Sequence, residues 1–278
     1  ILANQHFESF LDFFKNTPIR VELLTGSVSK KRSEDIRERL KNGEIDILIG
    51  THALIEDKVE FNKLGLVITD EQHRFGVRQR GRLTAKALSP DVLVMTATPI
   101  PRTLALILYG DLDISIIDEL PPGRQKIDTI AVYEDKRDIY YERNIRKEVE
   151  MGHQVYVVCP LVEESEVLDV KSATEVYDEL QYRFFTDLRI GLLHGKMKPS
   201  EKDEVMEAFK NHELDILVST TVIEVGVNVP NATVMVVENA ERFGLAQLHQ
   251  LRGRVGRGKS KSYCCLIYKS RSDVCKKR

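Results

Sequence analysis

The apolar residues of this chain come in short runs that stop abruptly at small or charged positions. Ile19 to Leu24 and Arg189 to Leu193 read as short strands leading into Gly26 and Gly195, while Ile45 to Ile49 and Leu214 to Val218 are almost continuously apolar. A strand covered by helices on both faces has no polar face to alternate with, so such runs predict parallel sheets. Val92 to Met95, Tyr263 to Tyr268 and Leu66-Val67-Ile68 have the same character. Elsewhere the period is that of a helix. Val205 and Phe209 lie one turn apart behind Ser200-x-x-Asp203, which predicts a capping box, and Ile1, Leu2, His6, Phe7 and Phe10 fall near one face. The alternation predicts an α/β fold.

The pattern also repeats. Residues 23 to 51, LLTGSVSKKRSEDIRERLKNGEIDILIGT, align without a gap on residues 192 to 220, LLHGKMKPSEKDEVMEAFKNHELDILVST. Both copies share Leu-Leu-x-Gly, Lys-Asn-x-Glu and Asp-Ile-Leu, and after one deleted residue Arg74-Phe75-Gly76 falls on Arg242-Phe243-Gly244. Shared spacing over such a length predicts a duplicated strand–helix–strand fold. Pro121-Pro122-Gly123 interrupts both helix and strand patterns, which predicts a first domain over 1–120, a linker at 121–125 and a second domain over 126–278.

Composition changes this picture little. At 278 residues, 42% hydrophobic and 30% charged, the chain has room for two globular domains. The net charge of −2 points to no polyanionic partner as a whole, yet from Arg252 to Arg278 ten Lys or Arg face one acidic residue, Asp273. That basic end suits phosphates, or is simply solvated. The four cysteines, Cys159, Cys264, Cys265 and Cys275, include no C-x-x-C pair, and neighbours 264 and 265 must face opposite sides of a strand. Neither a disulfide framework nor a zinc site is expected. A reducing, cytoplasmic location fits, since no apolar run approaches a membrane span and no signal pattern opens the chain.

Chemistry concentrates where Leu66-Val67-Ile68 runs into Asp70 and Glu71. In open parallel sheets, ligands sit beyond the carboxyl ends of the strands, where one carboxylate can hold magnesium and a second can orient or deprotonate a water. An acidic pair alone more often just begins a loop. The repeat, however, puts Glu238 and Asn239 at the equivalent positions, so one copy keeps the acid pair and the other has lost it. Such asymmetry suits a single shared nucleotide site. Thr96-Ala97-Thr98 closes another strand, Ser219-Thr220-Thr221 leads into Gly226-Val227-Asn228, and Gln250-Leu251-Arg252-Gly253-Arg254-Val255-Gly256-Arg257 follows. A rigid guanidinium can neutralise charge on a γ-phosphate, which makes Arg254 and Arg257 candidates for an arginine finger.

This ordered set resembles the superfamily 2 helicases over nearly the whole chain, with DEQH at 70–73 similar to motif II, TAT at 96–98 to motif III, 219–228 to motif V and QLRGRVGR at 250–257 to motif VI. More narrowly, DEQHRFGV followed by TATPIPRTLAL resembles the bacterial RecG helicases. Transcription-repair coupling factors are the nearest rival family, against which Gln72 speaks. The resemblance implies two tandem RecA-like domains, each a mostly parallel sheet covered by helices, the first truncated at its N-terminus, with ATP bound in the cleft between them. It implies that Asp70 holds magnesium, that Glu71 acts on the water, and that Gln72 and His73 couple the γ-phosphate to Thr96 and Thr98. Gln250, Arg254 and Arg257 would reach ATP from the second domain, with Gly226 and Asn228 lining the cleft. Gly26, Gly50, Thr51, His194, Gly195 and Thr220 resemble backbone-contacting loops for double-stranded and branched DNA. Arg102 belongs to the narrower signature and suits DNA, a helix cap or a domain contact. The family reading implies an ATP-driven DNA translocase that remodels forks and junctions in recombination and repair; a non-catalytic nucleic-acid-binding module is the alternative, and the sequence leaves the oligomeric state open, with a monomer expected.

The phosphate-binding loop is the missing element. Gly253 to Ser260 matches G-x-x-x-x-G-K-[ST] literally, but it follows the helical pattern LAQLHQL and precedes a strand, the reverse of the order a P-loop requires, so a P-loop kinase is not expected. In the family this loop belongs upstream of ILANQHFESF. The chain therefore reads as a fragment expected to be inactive alone.

Overall fold

Val21–Leu24 (β1) and Ile47–Gly50 (β2) pair in parallel across helix Lys30–Lys41 (α2), and Ile190–Leu193 (β7) and Ile216–Thr220 (β8) do the same across Pro199–Lys210 (α6). The duplication read from the sequence is thus present in the backbone, down to register. Val21 pairs with Ile47 and Leu24 with Gly50; Ile190 pairs with Ile216 and Leu193 with Ser219. The computed structural model describes residues 2–70, 86, 89–96, 113–120, 124–160, 166–220 and 229–269. The chain divides into two compact units, residues 1–99 and 100–278. Part of the linker expected at 121–125, residues 121–123, lies outside the described residues.

In the first unit, Leu2–Phe14 (α1) precedes β1, and Leu66–Thr69 (β3) pairs in parallel with Asp91–Val94 (β4). Ile36 and Leu40, one turn apart on α2, bury themselves with Leu24, Ile45 and Val59. The helix begins where Ser29 Oγ accepts from the Arg32 N–H and ends with Arg39 and Lys41 in its last turn, favourable for the dipole.

Among the described residues the second unit forms a six-stranded, wholly parallel sheet in the order β5-β10-β9-β6-β8-β7. Its other strands are Asp128–Tyr133 (β5), Gln154–Cys159 (β6), Ala232–Val237 (β9) and Tyr263–Tyr268 (β10). The helices are Arg137–Tyr140 (α3), continued by a π-turn into Arg146–Glu150 (α4), then Glu166–Glu179 (α5), α6 and Leu245–Arg252 (α7). Every residue of β6 is buried. Alternate side chains enter separate cores, Tyr156 and Val158 packing with Phe209 and Leu251, and Val155 and Val157 with Tyr141 and Phe185. Cys264 and Cys265 likewise fall on opposite faces, as their adjacency required. Among the described residues no helix is long and apolar enough to cross a membrane.

The shared geometry includes a charged fork. Arg20 donates through its backbone N and Nε to Asp46 Oδ2, both at 2.9 Å, and Arg189 does the same to Asp215 at 2.9 and 3.1 Å. Each fork fixes where a second strand starts beside the first. The helix cap departs from expectation. Helix α6 is capped at Lys198, whose backbone N–H donates to Glu201 Oε2 at 2.8 Å, rather than by Ser200 and Asp203. Proline lacks an N–H and is preset for the first helical turn, so Pro199 sets the start two residues earlier than the Ser-based pattern implied.

Candidate functional site

Beyond the β3–β4 ladder, in which Thr69 is abreast of Val94, the Met95 N–H donates to Thr69 O at 2.9 Å. Asp70 therefore leaves the carboxyl end of β3 next to Met95 and Thr96. Its side chain is 38% exposed, with His6 Nε2 of α1 at 3.7 Å, and Thr96 is exposed. A carboxylate presented this way suits magnesium, which takes one or two carboxylates and keeps its waters instead of needing a closed cage. Among the described residues no group of three or more His, Cys, Asp or Glu could hold a metal by itself. Glu71, Gln72, His73, Thr98 and Arg102 lie outside the described residues.

The corresponding strand end in the second unit is closed. Glu238 follows β9 as Asp70 follows β3, but it is 3% exposed, and its Oε1 accepts from Arg137 Nε at 2.7 Å and from the Tyr141 hydroxyl. Arg137 also reaches Glu179 at 2.9 Å and lies over the Tyr141 ring. Burial opposes the Arg137 charge, but Tyr141, Glu238 and Glu179 more than offset it and raise its pKa. Desolvation and then the Glu238 charge hold the Tyr141 phenol protonated. Asn239, beside Glu238, sits in the left-handed region at φ 49°. No sequence pattern marks Arg137 or Tyr141, because both belong to α3 and the following turn, about a hundred residues before their partner.

Helix α7 leads to the arginine loop. Gln250 is half-buried near its end, Arg254 is half-buried, Val255 is fully buried, and Arg257 is exposed as a residue. Partial desolvation, followed by the charge of nearby Arg124, lowers the Arg257 pKa from the ordinary 12.5. The positive charges of Arg257 and Arg254 both reach the buried Tyr156 on β6. The literal P-loop match at 253–260 joins α7 to β10, the helix-to-strand order already given against it. Gly226 and Asn228 lie outside the described residues.

The candidate DNA-contacting positions fall on matched loops within each unit. Gly26 and Gly195 are exposed, and a Cβ at either would meet no atom within 4 Å. Lys30, Lys31 and Arg32 follow the first; Lys196, Lys198 and Lys202 surround the second, with Lys202 Nζ donating to Gly195 O at 2.8 Å. Burial, then Lys202 and Lys196, push the His194 imidazole below its ordinary pKa, and its Nδ1 is buried without a partner. Gly50 is required by packing, since a Cβ there would lie 2.2 Å from Leu24 O. Thr51 is exposed, whereas its counterpart Thr220 is 1% exposed with Oγ1 unpartnered.

The chain is similar to known helicases along its length. A DEAD/DEAH box helicase model matches residues 1–107 and a helicase conserved C-terminal domain model matches residues 136–259. The ATP-dependent DNA helicases RecG of Bacillus subtilis (strain 168) and of Synechocystis sp. are each 55% identical over 278 residues, 100% of this chain. The chain spans 41% and 33% of those relatives. A solved structure of RecG bound to a three-way DNA junction is 49% identical, with a TM-score of 0.78 over 100% of this chain and 36% of that one. The DUF1998 helicase MrfA bound to DNA and AMPPNP, 17% identical with a TM-score of 0.69 over 97% of this chain and 40% of that one, shares the fold.

Proposed function

We propose that the chain belongs with the RecG helicases and forms the ATP-driven motor of a helicase that moves on double-stranded DNA and remodels branched junctions, a reading supported by its similarity to RecG over its whole length. The observation that carries this reading is the asymmetric duplication. One fold occurs twice, with an exposed carboxylate after β3 in the first copy and a sealed one plus an arginine loop in the second. A dead nucleic-acid-binding module has no physical need for that division of labour. Similarity at 55% identity does not favour a coupling-factor motor either.

In this reading Asp70 holds magnesium, whose chemistry when bound is to neutralise phosphate oxygens and the leaving group. Glu71 orients the attacking water, while Gln72 and His73 pass the state of the γ-phosphate toward Thr96 and Thr98. Gln250 and the guanidinium groups of Arg254 and Arg257 meet the phosphates. Gly226 and Asn228 line the nucleotide site. Gly26, Gly50, Thr51, Arg102, His194, Gly195 and Thr220 lie along the DNA track, where backbone amides and hydroxyls contact phosphates without reading bases.

The test is DNA-stimulated ATP hydrolysis by the complete protein. Glu71→Gln and Arg257→Ala are each expected to lower kcat by about a hundredfold or more, with junction binding retained. Wild-type turnover in both variants would remove this reading.

A further inference from the structure

Residues 124–128 run along the arginine loop of the same unit. Arg124 Nε donates to Gly256 O at 3.1 Å, Gln125 Nε2 donates to Lys259 O at 3.1 Å, and the Asp128 N–H donates to Ser262 O at 3.0 Å where the β5–β10 ladder begins. Ile127 closes on Gly256, which has φ +72°; a Cβ there would lie 2.9 Å from Ile127 Cγ1. Gly258 abuts Pro230, so that its Cβ would come within 2.5 Å of the Pro230 carbonyl. Val255, between the two arginines, is fully buried in the core that contains Tyr156. A loop gripped on both sides holds its charges in place before any ligand arrives.

Arg124 is fixed to the carbonyl of the residue just before Arg257, close enough for its charge to act on Arg257. Among the described residues neither Arg124 nor Arg257 has a carboxylate ion-pair partner. Gathering like charges on a rigid loop is unfavourable until an anion joins them. A polyphosphate has the charge and the oxygen count to engage several planar guanidinium groups together.

We propose that Arg124 is a third nucleotide-binding arginine, holding the polyphosphate of ATP together with Arg254 and Arg257. The proposal rests on the reading of those two residues given above. A merely structural Arg124, shaping the loop through Gly256 O, is the competing account, and charge separates the two.

The experiment compares Arg124→Gln, Arg124→Lys and Arg257→Ala in the complete protein. Glutamine keeps an amide donor for Gly256 O and removes the charge; lysine keeps the charge and removes the planar Nε donor. ATP affinity is read by titration with a fluorescent ATP analogue and by KM in DNA-stimulated hydrolysis. The ATP-induced rise in melting temperature is read against each variant's own baseline, so a lower-melting variant still reports. Arg124→Gln is expected to weaken ATP binding about tenfold or more, with DNA affinity unchanged, and Arg124→Lys to stay within about threefold of wild type. Wild-type ATP affinity in Arg124→Gln, or equal damage in both variants, overturns the proposal. If Arg257→Ala abolishes turnover while Arg124→Gln is silent, only Arg124 loses its role; if both are silent, the arginine-loop reading falls too.

Discussion

Arg137 Nε lies 2.7 Å from Glu238 Oε1, and this pair, with the Tyr141 hydroxyl as second donor, seals the strand end that corresponds to Asp70. The Glu238 and Arg137 side chains are only 4% and 12% exposed. Removing one partner leaves a buried charge uncompensated. Arg137→Ala is expected to lower the unfolding free energy by about 3–5 kcal/mol in urea titrations. A loss below about 1 kcal/mol would mean water reaches Glu238 after all. Per folded molecule, Glu238→Gln should leave ATP hydrolysis near wild type, whereas Asp70→Asn should abolish it.

The Arg189–Asp215 fork predicts a pH response. Burial by itself raises the Asp215 pKa, but the hydrogen bonds from Arg189 outweigh it and hold the carboxyl below its ordinary 3.8. A carboxyl depressed in the folded state contributes stability that is present above its unfolded pKa and is lost as pH falls through the folded one. Asp215→Asn should therefore cost about 1–3 kcal/mol at pH 7 and flatten the decline in stability below pH 3.8. Asp46→Asn, at the more exposed fork, should cost less. Melting curves across acid pH would contradict this if the two variants tracked each other.

His212 occupies, at φ 61°, the position that Gly43 fills at φ 74° in the first copy. A side chain pays steric strain in this region that glycine avoids. His212→Gly should raise stability by about 0.5–1 kcal/mol, offset in part by the long contact of His212 with Asn231 at 3.5 Å. Gly43→His should do the reverse, since a Cβ there meets Asn62 Nδ2 at 2.5 Å. Thermal denaturation of both variants checks the sign.

Three glycines separate packing from contact. Gly258→Ala must displace backbone, because its Cβ would lie 2.5 Å from Pro230 O, and should cost about 1–3 kcal/mol. Gly26→Ala and Gly195→Ala meet nothing within 4 Å and should leave melting unchanged. On the proposed track those two methyl groups stand between backbone and phosphate. The double variant should bind junction DNA several-fold more weakly by anisotropy at fixed salt, and unchanged binding would move the track elsewhere.

Much of this molecule was legible in the sequence because the relevant physics is local. Near-continuous apolar runs report strands covered on two faces, and the matched segments 23–51 and 192–220 report one fold used twice. Even the opposed burial of Cys264 and Cys265 follows from the two-residue period of a strand. The start of α6 departs from the local pattern. Two helix-start signals competed there, and Pro199 prevailed over Ser200.

Tertiary structure decided the pairings that join distant parts of the chain. Which acid is open and which is sealed depends on Arg137 reaching Glu238, and the setting of the arginine loop depends on Arg124 reaching Gly256. Neither pair leaves a periodic trace, since the partners belong to separate elements brought together by the strand order β5-β10-β9-β6-β8-β7. A sequence pattern records how each residue is buried. Which distant side chain neutralises it is fixed only when the sheet assembles.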